Sequence, residues 1–167
     1  MTTAPRTVIR TEQPYIAITI TEPLSGWGKV NALIPEVLGI MGDNGVVPDG
    51  PLLYRYLVAT DFDSAFTVEV GFPTEGFVRR PGRSHSGTIP AGRYVTLRHV
   101  GHPDRLRDSF AALEAWIAEN GEEPDVEMID GQCRWAGRFE FYLTDPNDQP
   151  DRDKWEIDVE WKLRDQG

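Results

Sequence analysis

The sequence predicts an α+β fold made of a tandem βαββ repeat, with pseudo-twofold symmetry and two helices packed on an antiparallel sheet. Residues 15–73 contain a strand, a helix and two further strands, and residues 90–163 repeat that order. Neither half can bury a sheet face alone, so the halves are expected to pack together as one domain over residues 15–163. We expect residues 74–89 to be a linker and residues 1–14 a flexible N-terminus.

Composition and charge restrict the classes of partner. The 167 residues are 40% hydrophobic and 26% charged, which is ordinary for a globular protein. A net charge of −10 repels nucleic-acid phosphates and anionic membrane surfaces, so a cationic ligand is favoured over either partner. No apolar run approaches membrane-spanning length and no signal-like segment is present, so we expect a cytoplasmic protein.

Cysteine and histidine usage gives no indication of a cofactor. Cys133 is the single cysteine, so no intrachain disulfide can form and no cysteine-based metal site is indicated. Three histidines lack metal-ligand spacing and are interpreted as surface residues: His85, His99 and His102. We therefore expect neither a metal nor another cofactor.

The first half begins with a β-branched run at residues 15–20 that predicts a strand. Residues 30–41 place apolar side chains three and four positions apart, which indicates a helix. Because a proline removes a helical hydrogen bond, Pro35 predicts that this helix either starts near Ile34 or is kinked there. Two strands are predicted to follow, at residues 52–58 and 66–73.

The second half repeats this pattern with a clearer helix. A strand is predicted at residues 93–100, and a helix at residues 103–120 that Gly121 ends. The apolar face of this helix is predicted to lie in the core: Leu106, Phe110, Leu113, Trp116 and Ile117. Alternating side chains predict two more strands, at residues 138–143 and 155–163.

Glu140 is the principal candidate for a functional residue. It lies between Phe139 and Phe141, where a charge is costly unless something pairs with it. Alternation along a half-buried strand also allows a simpler interpretation, in which Glu140 points to solvent. Aligning the two halves on Asp61 and Asp145 makes Tyr56 the counterpart of Glu140, and both are expected in a pocket where the halves meet.

Five further aromatic residues are candidates for that pocket, each with an alternative role in the core. Tyr54 and Tyr142 share a face with Tyr56 and Glu140 by alternation, and a second alignment sets Phe66 against Trp155. Trp155 could equally belong to the sheet core. Two tryptophans could cover the pocket or cap the core: Trp27 and Trp135.

Four segments together resemble the GyrI-like small-molecule-binding family: residues 68–73, residues 89–94, the helix from Pro103, and residues 139–146. The family includes effector-binding domains of multidrug-responsive bacterial regulators and shares its fold with SOUL haem-binding proteins. The resemblance implies a ligand pocket between the halves, with Glu140 as a buried glutamate that binds lipophilic cations and Trp155 as a pocket aromatic. Haem binding is not expected, because His99 is the one histidine on a predicted pocket strand and it lies near the strand end.

The resemblance implies a stand-alone binding protein for aromatic, lipophilic or cationic compounds, in sensing or sequestration of foreign molecules. Some members are hydrolases that open cyclopropane-bearing natural products, so a second hypothesis makes Glu140 a base that activates water. A weaker alternative is an inhibitor of a DNA-handling enzyme with a DNA-like acidic surface. No helix-turn-helix pattern precedes Tyr15, so we expect no direct DNA contact. A separate regulator protein or a second copy of the chain would then be the partner.

Overall fold

The computed structural model describes residues 1–76, 78–79 and 81–165. Within these ranges the backbone forms ten strands and three α-helices. The first half contains β1 (Arg6–Arg10), β2 (Gln13–Glu22), α1 (Trp27–Asn31), α2 (Leu33–Asp43), β3 (Leu52–Val58) and β4 (Phe66–Pro73). The second half contains β5 (His85–Ile89), β6 (Gly92–Val100), α3 (Leu106–Glu119), β7 (Val126–Ile129), β8 (Gln132–Trp135), β9 (Arg138–Tyr142) and β10 (Glu156–Lys162).

The strand order of the single antiparallel sheet is mirrored about its centre. The order is β1-β6-β10-β9-β3-β4-β2-β5, with the β7–β8 hairpin attached beside β3. Strand β3 of the first half pairs with β9 of the second at the centre, and β4 and β2 on one side correspond to β10 and β6 on the other. The two edge strands, β5 and β1, each lie on the side of the other half. This arrangement confirms the predicted α+β fold, with helices packed on a curled antiparallel sheet.

Local sequence explains where the helices begin and end. The first predicted helix is divided at Ala32 into α1 and α2. Pro35 lies in the first turn of α2, where a backbone N–H has no acceptor within the helix, so the helix starts near Ile34 as one prediction required. Gly121 follows α3 with a φ of 65° and ends it. Within the described residues, no helix is both long and apolar enough to cross a membrane.

Apolar side chains are buried on both faces of the curled sheet. One cluster lies under α1 and α2, and a second lies under α3. A third cluster occupies the opposite face and contains Phe139 and Phe141 of β9. Because neighbouring residues of a strand point to opposite faces, Glu140 faces the helices, away from these two phenylalanines. The aromatic surroundings of Glu140 therefore come from residues other than these two neighbours.

The predicted flexible N-terminus contains a strand. Residues 6–10 form β1, which pairs with β6 in a ladder that sets Val8 opposite Tyr94 and Arg10 opposite Gly92. The Arg10 guanidinium donates two hydrogen bonds to the Glu160 carboxylate, from Nε at 2.5 Å and from Nη2 at 3.0 Å. The strand has five residues and polar ends, which explains why its alternation did not predict it.

The predicted linker also contributes a strand. Residues 85–89 form β5, which pairs with β2 at the opposite edge of the sheet, and His85 contacts the buried Glu69 carboxylate. Each half therefore gains an edge strand from the segment that precedes the other half. The β7–β8 hairpin was not predicted either, although Asp130 and Gly131, with φ values of 51° and 77°, form the kind of turn that favours a hairpin.

The register of the central strands corrects one predicted symmetry relation. Glu140 lies opposite Tyr54, whereas the sequence alignment had made Tyr56 its counterpart. The alignment of Phe66 with Trp155 also aligns Val70 with Val159, and the ladder partners of these valines are Tyr54 and Glu140. Tyr54 is therefore the pseudo-twofold counterpart of Glu140. A β-bulge in β3 after Tyr56 shifts the register between this strand and the Asp61 turn.

We expect Arg10→Ala to lower the free energy of unfolding by about 1–2 kcal/mol, because Glu160 would remain buried without its partner. Urea denaturation followed by tryptophan fluorescence measures this change. Arg98→Ala is the matched control, since Arg98 pairs with Asp158 at 2.9 Å but is 45% exposed. An exposed pair contributes little, so the control is expected to change stability by less than about 0.5 kcal/mol. Equal losses in both variants would contradict an anchoring role for Arg10.

Candidate functional site

A cavity of about 450 Å³ lies on the helix-facing side of the sheet. Its floor is formed by Tyr56 of β3 and by three residues of β9: Arg138, Glu140 and Tyr142. Its walls come from the segment around the start of α1, from the beginning of β4, and from the segment that leads into α3. The cavity is thus built from both halves of the repeat and lies over the central β3–β9 pair.

Glu140 is the buried acid of this cavity, with 4% of its surface exposed. The Tyr142 hydroxyl donates a hydrogen bond to Glu140 Oε1 at 3.3 Å. Burial raises the pKa of Glu140 to about 7, while the positive charge of Arg138 and hydrogen bonds from Tyr56 and Tyr142 act in the opposite direction. The carboxyl group therefore changes its ionisation near neutral pH.

The tyrosines beside Glu140 remain proton donors. Burial and the negative charge of Glu140 raise the pKa values of Tyr56 and Tyr142 well above the ordinary value for tyrosine. The Tyr56 ring stacks on Trp27, with centroids 6.1 Å apart and planes 11° apart. Phe66 meets the Tyr56 ring edge-on at 6.0 Å, and it meets Trp27 in the same way at 5.8 Å. These three rings form an aromatic wall next to the carboxylate.

Arg138 is the second charged group of the floor, and its role was not predicted. Its guanidinium carbon lies 4.5 Å from the centroid of Trp161, 4.6 Å from that of Trp135 and 5.1 Å from that of Phe110. Burial lowers the pKa of Arg138, and Glu140 acts against this effect. Because an arginine keeps its proton under all ordinary conditions, the floor of the cavity holds a cation beside an acid.

Phe62 and Arg107 lie at the mouth of the cavity and connect the two halves. The Arg107 guanidinium carbon is 3.8 Å from the centroid of the Phe62 ring, and Phe62 stacks on Phe110 at 6.4 Å. Phe62 comes from the turn between β3 and β4, whereas Arg107 and Phe110 belong to α3. Phe62 is 40% exposed, so an apolar ring covers the entrance while remaining accessible to solvent.

These groups allow two kinds of chemistry. Aromatic walls and a carboxylate can hold an organic cation, while the guanidinium and the tyrosine hydroxyls can donate hydrogen bonds. A carboxyl group with a pKa of about 7 can also accept a proton from water near neutral pH. The cavity therefore has the size and composition of a small-molecule site.

Comparison with known families identifies this arrangement. Residues 9–164 match the family of GyrI-like small molecule binding domains, which accounts for nearly the whole chain. The chain belongs to the GyrI-like family. Its cavity is therefore the cavity of a small-molecule-binding domain, and the family resemblance drawn from the sequence is confirmed. A comparison with curated proteins finds no match.

Solved structures share the fold of this GyrI-like domain at low sequence identity. The EcmrR C-terminal domain is 19% identical with a TM-score of 0.77, and the match covers 97% of this chain and 98% of that domain. EcmrR in a complex with DNA gives a TM-score of 0.78 at 17% identity; the match covers 97% of this chain and 57% of EcmrR. SAV2435 bound to tetraphenylphosphonium gives a TM-score of 0.66 at 11% identity; the match covers 97% of this chain and 94% of SAV2435. A hydrolase from Listeria innocua gives a TM-score of 0.64 at 14% identity; the match covers 96% of this chain and 92% of the hydrolase.

Three of the predicted site residues contact the lining of the cavity of the GyrI-like domain without being part of it. Tyr54 donates a hydrogen bond to Asn31 Oδ1 at 2.8 Å and packs against Tyr142, with centroids 5.1 Å apart. Trp155 meets the Tyr142 ring edge-on at 6.4 Å, and its indole N–H donates to a backbone carbonyl. Trp135 donates to the carbonyl of Ala59 at 2.9 Å and supports Arg138. These residues thus pack against Tyr142 and Arg138, which do line the cavity.

The structure brings four predicted residues to the cavity surface and adds others that the sequence analysis missed. The predicted residues on the surface are Glu140, Tyr56, Tyr142 and Trp27. Phe110 was predicted as a core residue, but it is partly exposed and lines the cavity. Arg138 could have been identified, because alternation places it on the same face as Glu140. Phe62 carries no such signal, since it lies in a turn that reaches the cavity only through the packing of the two halves.

One histidine also differs from its predicted surface position. His99 is 4% exposed and its Nδ1 lies 2.7 Å from the Ser109 hydroxyl, while Nε2 lies 3.0 Å from the carbonyl of His102. One ring nitrogen thus connects β6 to α3, and the other contacts the segment that precedes this helix. In the part of the chain that the structure describes, no cluster of three His, Cys, Asp or Glu side chains is arranged to hold a metal ion.

Proposed function

We propose that this GyrI-like domain binds aromatic, lipophilic molecules with a positive charge and serves to sense or sequester them. The observation that carries this proposal is the buried carboxylate of Glu140, which faces a cavity with an aromatic wall. A large organic cation gives up little hydration energy on entering such a site, and each ring face attracts it by about 0.5–2 kcal/mol. The net charge of −10 also favours the approach of a cation.

Two structural neighbours support the proposal. SAV2435 shares the fold and is bound to tetraphenylphosphonium, a lipophilic cation with four aromatic rings. EcmrR shares the fold over a domain of a longer chain that also binds DNA. We therefore propose that a sensing role would require a DNA-binding segment or partner, whereas sequestration would require the binding domain alone.

The pH dependence of tetraphenylphosphonium binding tests the role of Glu140. Because the pKa of Glu140 is about 7, its carboxylate is mostly protonated at pH 6 and mostly ionised at pH 8. Tetraphenylphosphonium has no titratable group, so its affinity is expected to rise roughly five- to tenfold over this range. Quenching of tryptophan fluorescence, with calorimetry as a second method, measures the dissociation constants. Glu140→Gln is expected to show a flat profile, and an identical rise in that variant would contradict the assignment.

A second candidate function is hydrolysis of a strained electrophile. The pKa of Glu140, about 7, favours it because the carboxyl group can then exchange a proton near neutral pH. In that reaction Glu140 would accept a proton from water as the water oxygen bonds to a cyclopropane carbon. The ring carbon–carbon bond would break, and the released electron pair would take up the proton at the other carbon. Mass spectrometry of a cyclopropane-bearing compound incubated with the protein tests this candidate. A hydrated product formed by the wild type and not by Glu140→Gln would support it.

A further inference from the structure

Arg138 has hydrogen-bonding capacity that the protein itself does not use. Its guanidinium is packed among ring faces, with centroids at 4.5 Å for Trp161, 4.6 Å for Trp135 and 5.1 Å for Phe110. The charged groups around it act through their charge alone, and none of the described residues accepts a hydrogen bond from its N–H groups. Since Arg138 lines the cavity, these donors are available to a ligand.

The neighbouring acid does not satisfy these donors. Arg138 and Glu140 are two residues apart on the same face of β9, yet no ion pair within 4 Å joins them in the described structure. Ring faces attract the positive charge of a guanidinium but provide no acceptor for its N–H edge. The Arg138 side chain is half-buried and its nitrogens are not among the fully buried unpaired atoms, so solvent can reach them. A ligand that excludes this water must supply an acceptor or leave the N–H groups unsatisfied.

We propose that the preferred ligands are zwitterionic aromatic molecules, whose carboxylate or similar acceptor binds Arg138 while their positive end faces Glu140. This inference rests on the proposed function and adds a second point of recognition to it. The floor of the cavity carries one charge of each sign, so a ligand with two opposite charges compensates both groups. A plain lipophilic cation compensates Glu140 alone and brings its charge close to Arg138.

The other arginine of the cavity is a weaker candidate for this contact. Arg107 is exposed and lies at the mouth, where its guanidinium stacks on Phe62 at 3.8 Å. Solvent screens an exposed charge, so a carboxylate gains little there. Arg138 lies deeper, on the floor beside Glu140, where a hydrogen bond to a charged group contributes more.

Two probes that differ by one carboxylate test the inference. Tetraphenylphosphonium and (4-carboxyphenyl)triphenylphosphonium share the cation and the aromatic rings, and the second is a zwitterion at pH 8. We expect the wild-type protein to bind the zwitterion at least about tenfold more tightly in calorimetric titrations. Equal affinities, or tighter binding of the plain cation, would overturn the inference while leaving the proposed function intact. Failure of both probes to bind would overturn both.

Variants then assign the preference to one side chain. In Arg138→Met, which keeps an apolar chain among the rings, the tenfold preference is expected to disappear. The quantity compared is the ratio of the affinities for the two probes in each protein, because Arg138 itself lines the cavity. Arg138→Lys keeps the charge and is expected to retain part of the preference. If Arg107→Met abolishes the preference and Arg138→Met does not, the carboxylate binds at the mouth and the inference is wrong. Circular dichroism verifies that each variant is folded, and the wild-type comparison decides the question even if one is not.

Discussion

Glu140→Gln is expected to weaken the binding of tetraphenylphosphonium at pH 8 by about 30-fold, which corresponds to about 2 kcal/mol. The substitution preserves the shape of the side chain but removes the negative charge that faces the cavity. At a separation of about 4 Å, an effective dielectric constant of about 20 gives roughly 4 kcal/mol for an ion pair. The positive charge of Arg138 beside the same site offsets part of that energy, so we expect about half of it to be lost.

Calorimetric titration of wild type and variant at pH 8 measures this loss directly. Glu156→Gln is the matched control, because it removes the same charge from an exposed position on β10. Its affinity is expected to stay within about twofold of the wild type, since solvent screens distant surface charges. A Glu140→Gln variant that binds as tightly as the control would show that the carboxylate does not contact the cation, and the proposed function would be wrong.

The face on which Glu140 lies follows from the sequence, but its surroundings do not. Alternation along residues 138–142 places the side chain of Glu140 on the opposite face of the strand from Phe139 and Phe141. Any strand alternates in this way, so the sequence alone predicts it. Phe139 and Phe141 therefore cannot provide the aromatic surroundings that the sequence analysis expected for Glu140. The aromatic wall of the cavity that Glu140 shares comes from Trp27, Tyr56 and Phe66, which are distant from Glu140 in the chain and meet it only when the halves pack.

Edge strands and register were the parts of the fold that the sequence predicted least well. Strands β1 and β5 have five residues each and pair with β6 and β2. Their short alternation did not predict a strand, although β1 contains the β-branched residues Thr7, Val8 and Ile9. The alignment on Asp61 and Asp145 matched two turns that have similar residues. A bulge in β3 lies between Tyr54 and the first of these turns. Aligning the two turns therefore did not bring equivalent residues of β3 and β9 into alignment.

A substitution one residue away from Glu140 is expected to affect stability instead of binding. Phe139→Ala should lower the free energy of unfolding by about 3–5 kcal/mol, the usual loss for a fully buried phenylalanine. The Phe139 ring stacks on Phe141 at 5.6 Å and lies 6.3 Å from Tyr94, in the cluster on the opposite face from the cavity. Arg55 also lies over this ring at 5.4 Å, so truncation removes both apolar and cationic contacts.

Urea denaturation followed by circular dichroism measures the change, and Leu143→Ala is its control. Leu143 follows the same strand but is 37% exposed, so its truncation is expected to cost less than about 1 kcal/mol. Below the unfolding transition, Phe139→Ala should still bind tetraphenylphosphonium within a few-fold of the wild type, because Phe139 does not line the cavity. Loss of binding in a folded Phe139→Ala protein would mean that the two faces of β9 are energetically coupled. Normal binding with reduced stability would show that one face of the strand maintains the fold and leaves the other free to recognise a ligand.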